Sequence, residues 1–174
     1  NVEGARVYDP RDTLTAWDDN WALAVRHYLT SDWGLGDVGT NIDDVVFSAQ
    51  ADVSDEDVTL DVGGTQKRYR MNGVIRADQT PGAILNNMMP SGAGSLFWGQ
   101  GLWRLRAGHY TAPVKTFGVA DLRSGIRLDT RSSRRDVFNA VRGEFVSSEQ
   151  RFIPAEYPKG ESATFLADDA GVEN

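Results

Sequence analysis

The sequence predicts an α+β fold in which helices pack with antiparallel β-hairpins. Two capped, amphipathic segments open the chain, and two glycine turns flanked by alternating residues follow them. The predicted order is helix, helix, hairpin, helix, hairpin, followed by a mostly β C-terminal part. Hairpins joined by tight turns indicate antiparallel strands, whereas a parallel sheet would need strands that alternate with helices.

Composition limits the kinds of site that the chain can carry. Its 174 residues are 40% hydrophobic and include no cysteine, so disulfides, thiolate nucleophiles and cysteine-bound metals are excluded. No apolar run reaches the roughly 18 residues of a membrane helix. We expect an α+β unit over residues 1–113 and a mainly β unit over residues 114–174, with a mobile acidic tail from about residue 167.

The stretch WDDNWALAVRHYLTSDWGLG, residues 17–36, predicts the first helix. Asp19 or Asn20 suits the N-cap, because a short polar side chain accepts hydrogen bonds from the first free amides. Gly34 is a plausible terminator. The apolar face at helical spacing consists of Trp21, Ala24, Val25, Tyr28 and Leu29.

A second helix is predicted to begin near Thr40, which forms a capping-box spacing with Asp43. The acidic run Asp52–Asp57 is expected to end this helix in a solvated loop. It resembles the start of a calcium loop but lacks the glycine and glutamate that such a loop needs. The predicted apolar stripe consists of Ile42, Val45, Val46 and Ala49.

Two hairpins and a short helix follow. Gly63–Gly64 and Gly99–Gly101 each separate two strand-like segments, which predicts two hairpins. Between them, Thr80 suits an N-cap and Pro81 the first helical position, where a missing N–H costs nothing. The predicted inner residues of the first hairpin, the helix and the second hairpin are Tyr69, Met71, Ile84, Leu85, Met88, Met89, Trp103 and Leu105.

The chain after Val114 contains mostly extended segments, namely VKTFGVA, IRLDT, AVRGEFV and SATFLA. In RSSRRDVFNAVRGEF, residues 131–145, Ser133 and Asp136 have the spacing of a helix start. We therefore expect a short helical turn there that Val137 and Phe138 anchor to the core. Val141 and Phe145 are expected to point inward from the strand that follows.

Charge is distributed unevenly along the chain. Residues 1–62 carry a net charge of −11, residues 63–151 carry +8, and residues 152–174 carry −4. Such a chain can pair its own halves or pair with a neighbouring subunit. We therefore expect four arginines either to be solvated or paired with acidic residues of the same chain, or to pair with carboxylates of a neighbouring subunit. They are Arg131, Arg134, Arg135 and Arg142. A phosphate site is a third reading, but the total charge of −7 disfavours nucleic acid.

No motif marks a catalytic, cofactor or metal site. Gly34–Gly39 matches the spacing of a dinucleotide-binding loop, but a helix precedes it and Asp37 would repel pyrophosphate, so we interpret it as a helix stop and turn. His27 and His109 have no second ligand at metal spacing. A serine-hydrolase elbow is missing as well.

Four tryptophans, Trp17, Trp33, Trp98 and Trp103, lie at predicted helix ends and on hairpins. Aromatic residues in such places form core or act as interface anchors. They could also line a platform for a sugar. Sequence alone leaves these readings open.

Several motifs, taken in order, resemble the tip attachment protein J family, the tail-tip hub proteins of lambda-like long-tailed phages. They are VYDP (7–10), WDDNWALAVRHYLTSDWGLG (17–36), RYRMNGVI (68–75), PGAILNNMM (81–89), GSLFWGQGLWRLRAGHY (94–110), SRRDVFNAVRGEFV (133–146) and AEYP (155–158). The chain departs from the family at Trp21, where relatives often have proline.

The resemblance implies a structural protein of the virion tail tip and no enzyme. Such hubs form a ring, usually a trimer, that closes the distal end of the tail tube and contacts other tail proteins. Receptor contact would belong to domains outside this chain, which would be an internal hub fragment. A binding module for a host receptor or glycan is an alternative, and a cell-wall hydrolase is a further one. No cofactor is expected.

Overall fold

The fold is α+β, as predicted. A computed structural model describes residues 4–60, 63–76, 78–125, 127–128, 130, 137–147, 150–151 and 153–173. The chain divides into two compact units, Asn1–Pro113 and Val114–Asn174. In the described part of the chain, every sheet consists of two antiparallel strands.

The first unit contains three helices and three hairpins. Its elements are β1 (Arg6–Asp9), β2 (Leu14–Trp17), α1 (Trp21–Thr30), α2 (Asp44–Ser54), β3 (Asp57–Thr59), β4 (Thr65–Lys67), α3 (Pro81–Met88), β5 (Ser95–Gly99) and β6 (Leu102–Arg106). Strands pair as β1–β2, β3–β4 and β5–β6. The hairpin β1–β2 had not been predicted from the sequence.

Helix α1 is the centre of the first unit. Asn20 is its N-cap, and its side-chain oxygen accepts hydrogen bonds from the amides of Ala22 and Leu23 at 3.0 and 3.3 Å. The helix is buried almost all round, so the predicted single apolar face was too narrow. It ends at Thr30, before the predicted terminator. Gly34 lies in the next turn, where a Cβ would be 2.0 Å from the carbonyl oxygen of Tyr28.

The predicted start and buried face of α2 were wrong. Asp43 is the N-cap and accepts a hydrogen bond from Val46, while Thr40 lies in a preceding 3-10 turn. The buried face of the helix consists of Phe47, Ala51 and Ser54. Val45 and Ala49 face solvent. Two overlapping apolar patterns compete in this segment, and packing against α1 selects the one that contains the large aromatic ring.

The predicted short helix and the turns of both predicted hairpins are confirmed, but the second strand of the first hairpin ends at Lys67, before Tyr69 and Met71. Thr80 caps α3 with Pro81 at its first position, and Ile84 and Met88 are buried. The β5–β6 turn places Gln100 and Gly101 at φ values of 57° and 80°, the primed turn that suits a twisted two-residue hairpin. The core cluster of the unit consists of Val7, Trp21, Ala22, Leu23, Val25, Tyr28, Leu29, Ile42, Phe47, Ala51, Ile84, Met88, Leu105 and Ala107.

The second unit contains short strands and one helix among its described residues. These elements are β7 (Ala140–Val141), β8 (Glu144–Ser147), β9 (Ile153–Glu156), β10 (Gly160–Glu161) and α4 (Ala163–Asp168). The pairs are β7–β10 and β8–β9. SATFLA was predicted to be extended but forms α4, because the Ser162 hydroxyl caps it by accepting from the Phe165 amide. VKTFGVA contains no strand and ends in a 3-10 turn.

In RSSRRDVFNAVRGEF, the apolar side chains that were predicted to pack against the core are exposed, as far as the structure describes this stretch. Residues 131–136, and with them the expected cap at Ser133, lie outside the described residues. Phe138 is 66% exposed and belongs to no helix, and Val137, Val141 and Phe145 are about half exposed. An alternating pattern predicts which side chains share a face of a strand, but it does not supply a layer to cover that face.

Candidate functional site

The four tryptophans lie in the first unit, and three of them are open to solvent. Trp17 on β2 is 61% exposed, Trp33 after α1 is 57% exposed, and Trp98 on β5 is 51% exposed. Trp103 on β6 is partly buried against the core. Exposed rings of this size are either interface anchors or stacking surfaces.

Trp98 and Trp103 form an ordered aromatic pair. They are opposite each other in the β5–β6 register, and their rings meet edge to face with centroids 5.1 Å apart. The indole N–H of Trp103 donates to the Asp37 carboxylate at 2.6 Å. Hydrogen bonds from Asn41 and Trp103 hold the pKa of Asp37 below its ordinary value. Trp103 is therefore fixed by the loop after α1, and Trp98 rests on a rigid support.

Trp33 rests on the end of α1. Its ring meets the rings of His27 and Tyr28 edge to face, with centroids 5.5 and 5.9 Å away. Burial lowers the pKa of His27, which favours the neutral ring. His27 therefore acts as packing for Trp33. In the part of the chain that the structure describes, no group of histidine and acidic side chains could hold a metal ion.

Most acidic side chains of the first unit pair within that unit. Basic residues on or after β4 form ion pairs with acidic residues of the N-terminal segment. These pairs are Lys67–Asp57, Arg68–Glu56, Arg70–Asp19 and Arg104–Asp43. The N-terminal segment also contains the pair Arg26–Asp44. Part of the opposite charge of the two sequence segments is thus used in ion pairs within the first unit.

Arg11 is the centre of an acidic cluster that sequence reasoning missed. Its guanidinium contacts Asp9 at 2.7 Å, Asp52 at 3.0 Å and Asp55 at 2.8 Å. It therefore links the β1–β2 hairpin to the C-terminal half of α2. Burial would raise the pKa of Asp9, but the hydrogen bonds from Arg11 outweigh burial and hold that pKa below its ordinary value. The short spacing Asp9-Pro10-Arg11 was the only local signal.

Replacing Arg11 with methionine is expected to lower the free energy of unfolding by about 1 kcal/mol at neutral pH, a small value because Asp52 and Asp55 are open to solvent. The folded pKa of Asp9 is depressed, so its stabilisation is present above the ordinary pKa of about 3.9 and is lost as pH falls through the folded value. Urea unfolding should show wild type and Arg11→Met converging in acid. Arg76→Met, at an exposed arginine, is the control; a gap that stayed constant in acid would contradict the assignment.

The predicted arginine cluster is only partly described. Arg131, Arg134 and Arg135 lie outside the described residues. Arg142 bonds to Glu173 at 2.8 Å within its own unit, and Lys159 bonds to the same carboxylate at 2.5 Å. These bonds hold the pKa of Glu173 below its ordinary value. The acidic tail that we expected to be mobile is also bonded at Asp169 and Val172, by the buried side chain of Asn139.

A half-open depression of about 330 Å³ lies beside Arg142 and Lys159. It forms at a bulge, because Val141 pairs with Gly160 while the Tyr157 amide donates to the carbonyl of Gly143. Gly143 lets the ring of Tyr157 lie close to the backbone there, since a Cβ would be 2.5 Å from that ring. Glu144 and Glu156 are directly opposite each other at its edge. Glu173 already engages both cations, so the depression contains no free pair of them.

The second unit has no hydrophobic core among its described residues. Every buried apolar side chain of the described chain belongs to the first unit, and only Asn139 and Ser147 are buried in the second. Its exposed large apolar residues are Val114, Phe117, Val119, Leu122, Leu128, Val137, Phe138, Val141, Phe145, Val146, Ile153, Tyr157, Phe165 and Val172. Large contiguous apolar patches are typical of surfaces that meet another molecule.

Comparisons with family models and with curated proteins give no match for this chain. Among the described residues, no helix has the length and apolar character needed to cross a membrane. The function therefore has to be argued from the residues and their arrangement.

Proposed function

We propose that the chain is a structural part of a phage tail-tip hub, which closes the distal end of the tail tube and supports host attachment. The observation that carries this proposal is the second unit, whose described residues expose large apolar side chains and bury none. Hydrophobic burial is the main favourable term in folding and association, so such a unit is completed by contact with other protein. The motifs that resemble the tail-tip family indicate that this other protein belongs to a phage tail tip.

The first unit supports a scaffold role in this proposal. Its described residues form a compact core around α1, and ion pairs tie its hairpins to its helices. Trp17, Trp33 and Trp98 are large, half-exposed rings of the kind that anchor subunit contacts. In this role the chain forms a ring with copies of itself, usually a trimer, and contacts other tail proteins in the virion. This role requires no catalytic residue.

Electron microscopy of the parent particle with a labelled chain tests the proposal. A tag inserted between Gly63 and Gly64 suits this purpose, because a Cβ at either glycine would meet nothing within 4 Å. A tag between Gln100 and Gly101, in the second hairpin turn, is the matched control for the insertion site. We expect both labels at the distal end of the tail tube. Label elsewhere, or no label in the particle, would overturn the proposal.

A binding module for a host receptor or glycan is the second candidate, because three tryptophans are half exposed. It predicts that the isolated chain binds host cells and that Trp98→Ala weakens this binding. Tyr110→Ala, at an exposed ring outside this set of tryptophans, would be the control. Binding of this kind, together with no label at the tail tip, would replace the hub proposal.

A further inference from the structure

The hairpin β8–β9 of the second unit has two edges that differ chemically. The Tyr157 amide donates to the Gly143 carbonyl at 3.1 Å, which makes this a hydrogen-bonded pair just before β8. Bonded and non-bonded pairs alternate in an antiparallel ladder. Glu144 and Val146 therefore occupy non-hydrogen-bonded positions, opposite Glu156 and Pro154. Their amide and carbonyl groups point away from β9, toward the outer edge of β8.

The outer edge of β9 is protected and that of β8 is not. Pro154 would present its nitrogen to the outer edge of β9, and proline has no N–H to donate there. Proline on an edge is a common way to prevent a further strand from pairing. Val146, directly opposite, keeps its N–H. In the described part of the unit, no strand pairs with β8 on that side.

The side chains around this edge favour another apolar strand. Phe145 is 49% exposed on one face of β8, and Val146 is 62% exposed on the other. The second unit carries 9 Lys+Arg and 10 Asp+Glu, a net charge of −1. The first unit, with 9 against 15, carries −6. The second unit is thus close to neutral by itself and adds little repulsion of its own, although the whole chain carries −7.

We propose that the outer edge of β8 pairs, antiparallel and about a two-fold axis, with the β8 edge of a second copy of this chain. The outward groups of both strands meet when Glu144 of each copy is opposite Val146 of the other. This register keeps the two Glu144 carboxylates apart. It also places Phe145 directly opposite Phe145 of the second copy, as a non-hydrogen-bonded pair in which side chains are closest.

The result is a sheet in the order β9–β8–β8–β9, closed at both ends by Pro154. Pairing would cover the two Phe145 rings and satisfy the outward amides of Glu144 and Val146. This inference does not rest on the proposed tail-tip function, because it follows from the ladder, the proline and the exposed side chains. A two-fold contact cannot close a three-fold ring, so it would be a contact of the chain in addition to those within a ring. A purified chain can therefore support or refute it without the particle.

Disulfide trapping tests the register. The chain has no cysteine, so a single introduced thiol reports only contacts between copies. In a non-hydrogen-bonded pair the Cα atoms are about 4.5 Å apart, within the range of a disulfide. We expect Phe145→Cys to form a covalent dimer under mild oxidation much faster than Phe138→Cys, at a phenylalanine outside β8 that is more exposed than Phe145. Equal rates for the two variants would overturn the proposal.

A backbone variant tests the edge itself. Val146→Pro removes an amide N–H that points to the outer edge of β8, and it removes none of the hydrogen bonds between β8 and β9. Val146→Thr keeps this amide. Sedimentation over a range of concentrations should give dimers for wild type and Val146→Thr and monomers for Val146→Pro, with the same circular dichroism. A wild-type chain that stays monomeric, or a Val146→Pro chain that stays dimeric, would refute the pairing. If Val146→Pro fails to fold, the cysteine pair still decides.

Discussion

Replacing Trp21 with alanine is expected to destabilise the first unit by about 3–5 kcal/mol. Trp21 is fully buried and begins α1, where its indole N–H donates to the carbonyl of Met88 at 2.8 Å. The substitution would leave a cavity at the junction of α1 and α3 and a buried carbonyl without this donor. Urea unfolding followed by helical circular dichroism measures the loss. Trp98→Ala, at a half-exposed ring, should cost only about 1 kcal/mol, and equal losses would contradict this account.

A double-mutant cycle tests the packing of the Trp21 ring against Gly92 directly. A Cβ at Gly92 would be 2.3 Å from the Trp21 ring, and the three nearest atoms all belong to that ring. Gly92→Ala should therefore destabilise wild type by about 1–3 kcal/mol. The same change should cost much less in the Trp21→Ala background, because the ring that it strikes is gone. Additive losses would show that Gly92 is required for another reason.

Replacing Asn20 with alanine is expected to cost about 2–4 kcal/mol. Asn20 is buried, and its side chain both caps α1 and donates to the carbonyl of Ala51 on α2 at 2.9 Å. The amides of Ala22 and Leu23 that it satisfies are themselves in fully buried residues, so water cannot replace the lost acceptor. Equilibrium unfolding of the purified variant measures the loss.

Thr80→Ala is the matched control for Asn20→Ala. Thr80 also caps a helix, but it accepts from the exposed Ala83 only, at 3.4 Å, and makes no bond to another helix. Water can take over as acceptor there, so we expect a loss of about 1 kcal/mol or less. If the two variants lost equal stability, the buried position of Asn20 would contribute nothing beyond its cap.

The elements that sequence predicted well are those with local signals. Asn20 was one of two proposed caps, and Thr80 with Pro81 located α3 correctly. The glycine turns at Gly63–Gly64 and Gly99–Gly101 located two hairpins. Each signal acts within a few residues, because a cap or a positive-φ turn satisfies its own backbone whatever packs on it later.

Elements decided by packing were predicted poorly. Thr40 has the capping-box spacing, yet the helix begins after Asp43, whose other oxygen Oδ2 accepts from Arg104 far along the chain. A contact with a distant residue therefore helps to select the start of α2, and spacing alone contains no information about such contacts. SATFLA was also predicted wrongly, but there the missed signal was local: Ser162 caps α4, and none of the helix residues is buried.

In the candidate site, too, sequence identified residues by type, and only the structure showed their contacts. Sequence identified the tryptophans and the uneven charge, but it could not say that Trp103 is fixed by Asp37 while Trp98 stays open. It left open whether the acidic and basic segments pair within the chain. In the first unit they do, through Arg70, Arg104 and their partners. The Arg11 cluster joins residues more than forty positions apart, at a separation that no local motif spans.

By itself, the sequence determined the α+β class, the cap of α3, the two glycine turns and the exclusion of cysteine chemistry, because these depend on residue type and short spacing. The tertiary structure alone decided which apolar residues are covered. In the first unit, α1 gathers them into a core. In the described part of the second unit, they remain on short two-stranded hairpins and on the segments between them. Two-stranded sheets cannot bury both of their faces, and for that physical reason the second unit is proposed to meet other protein.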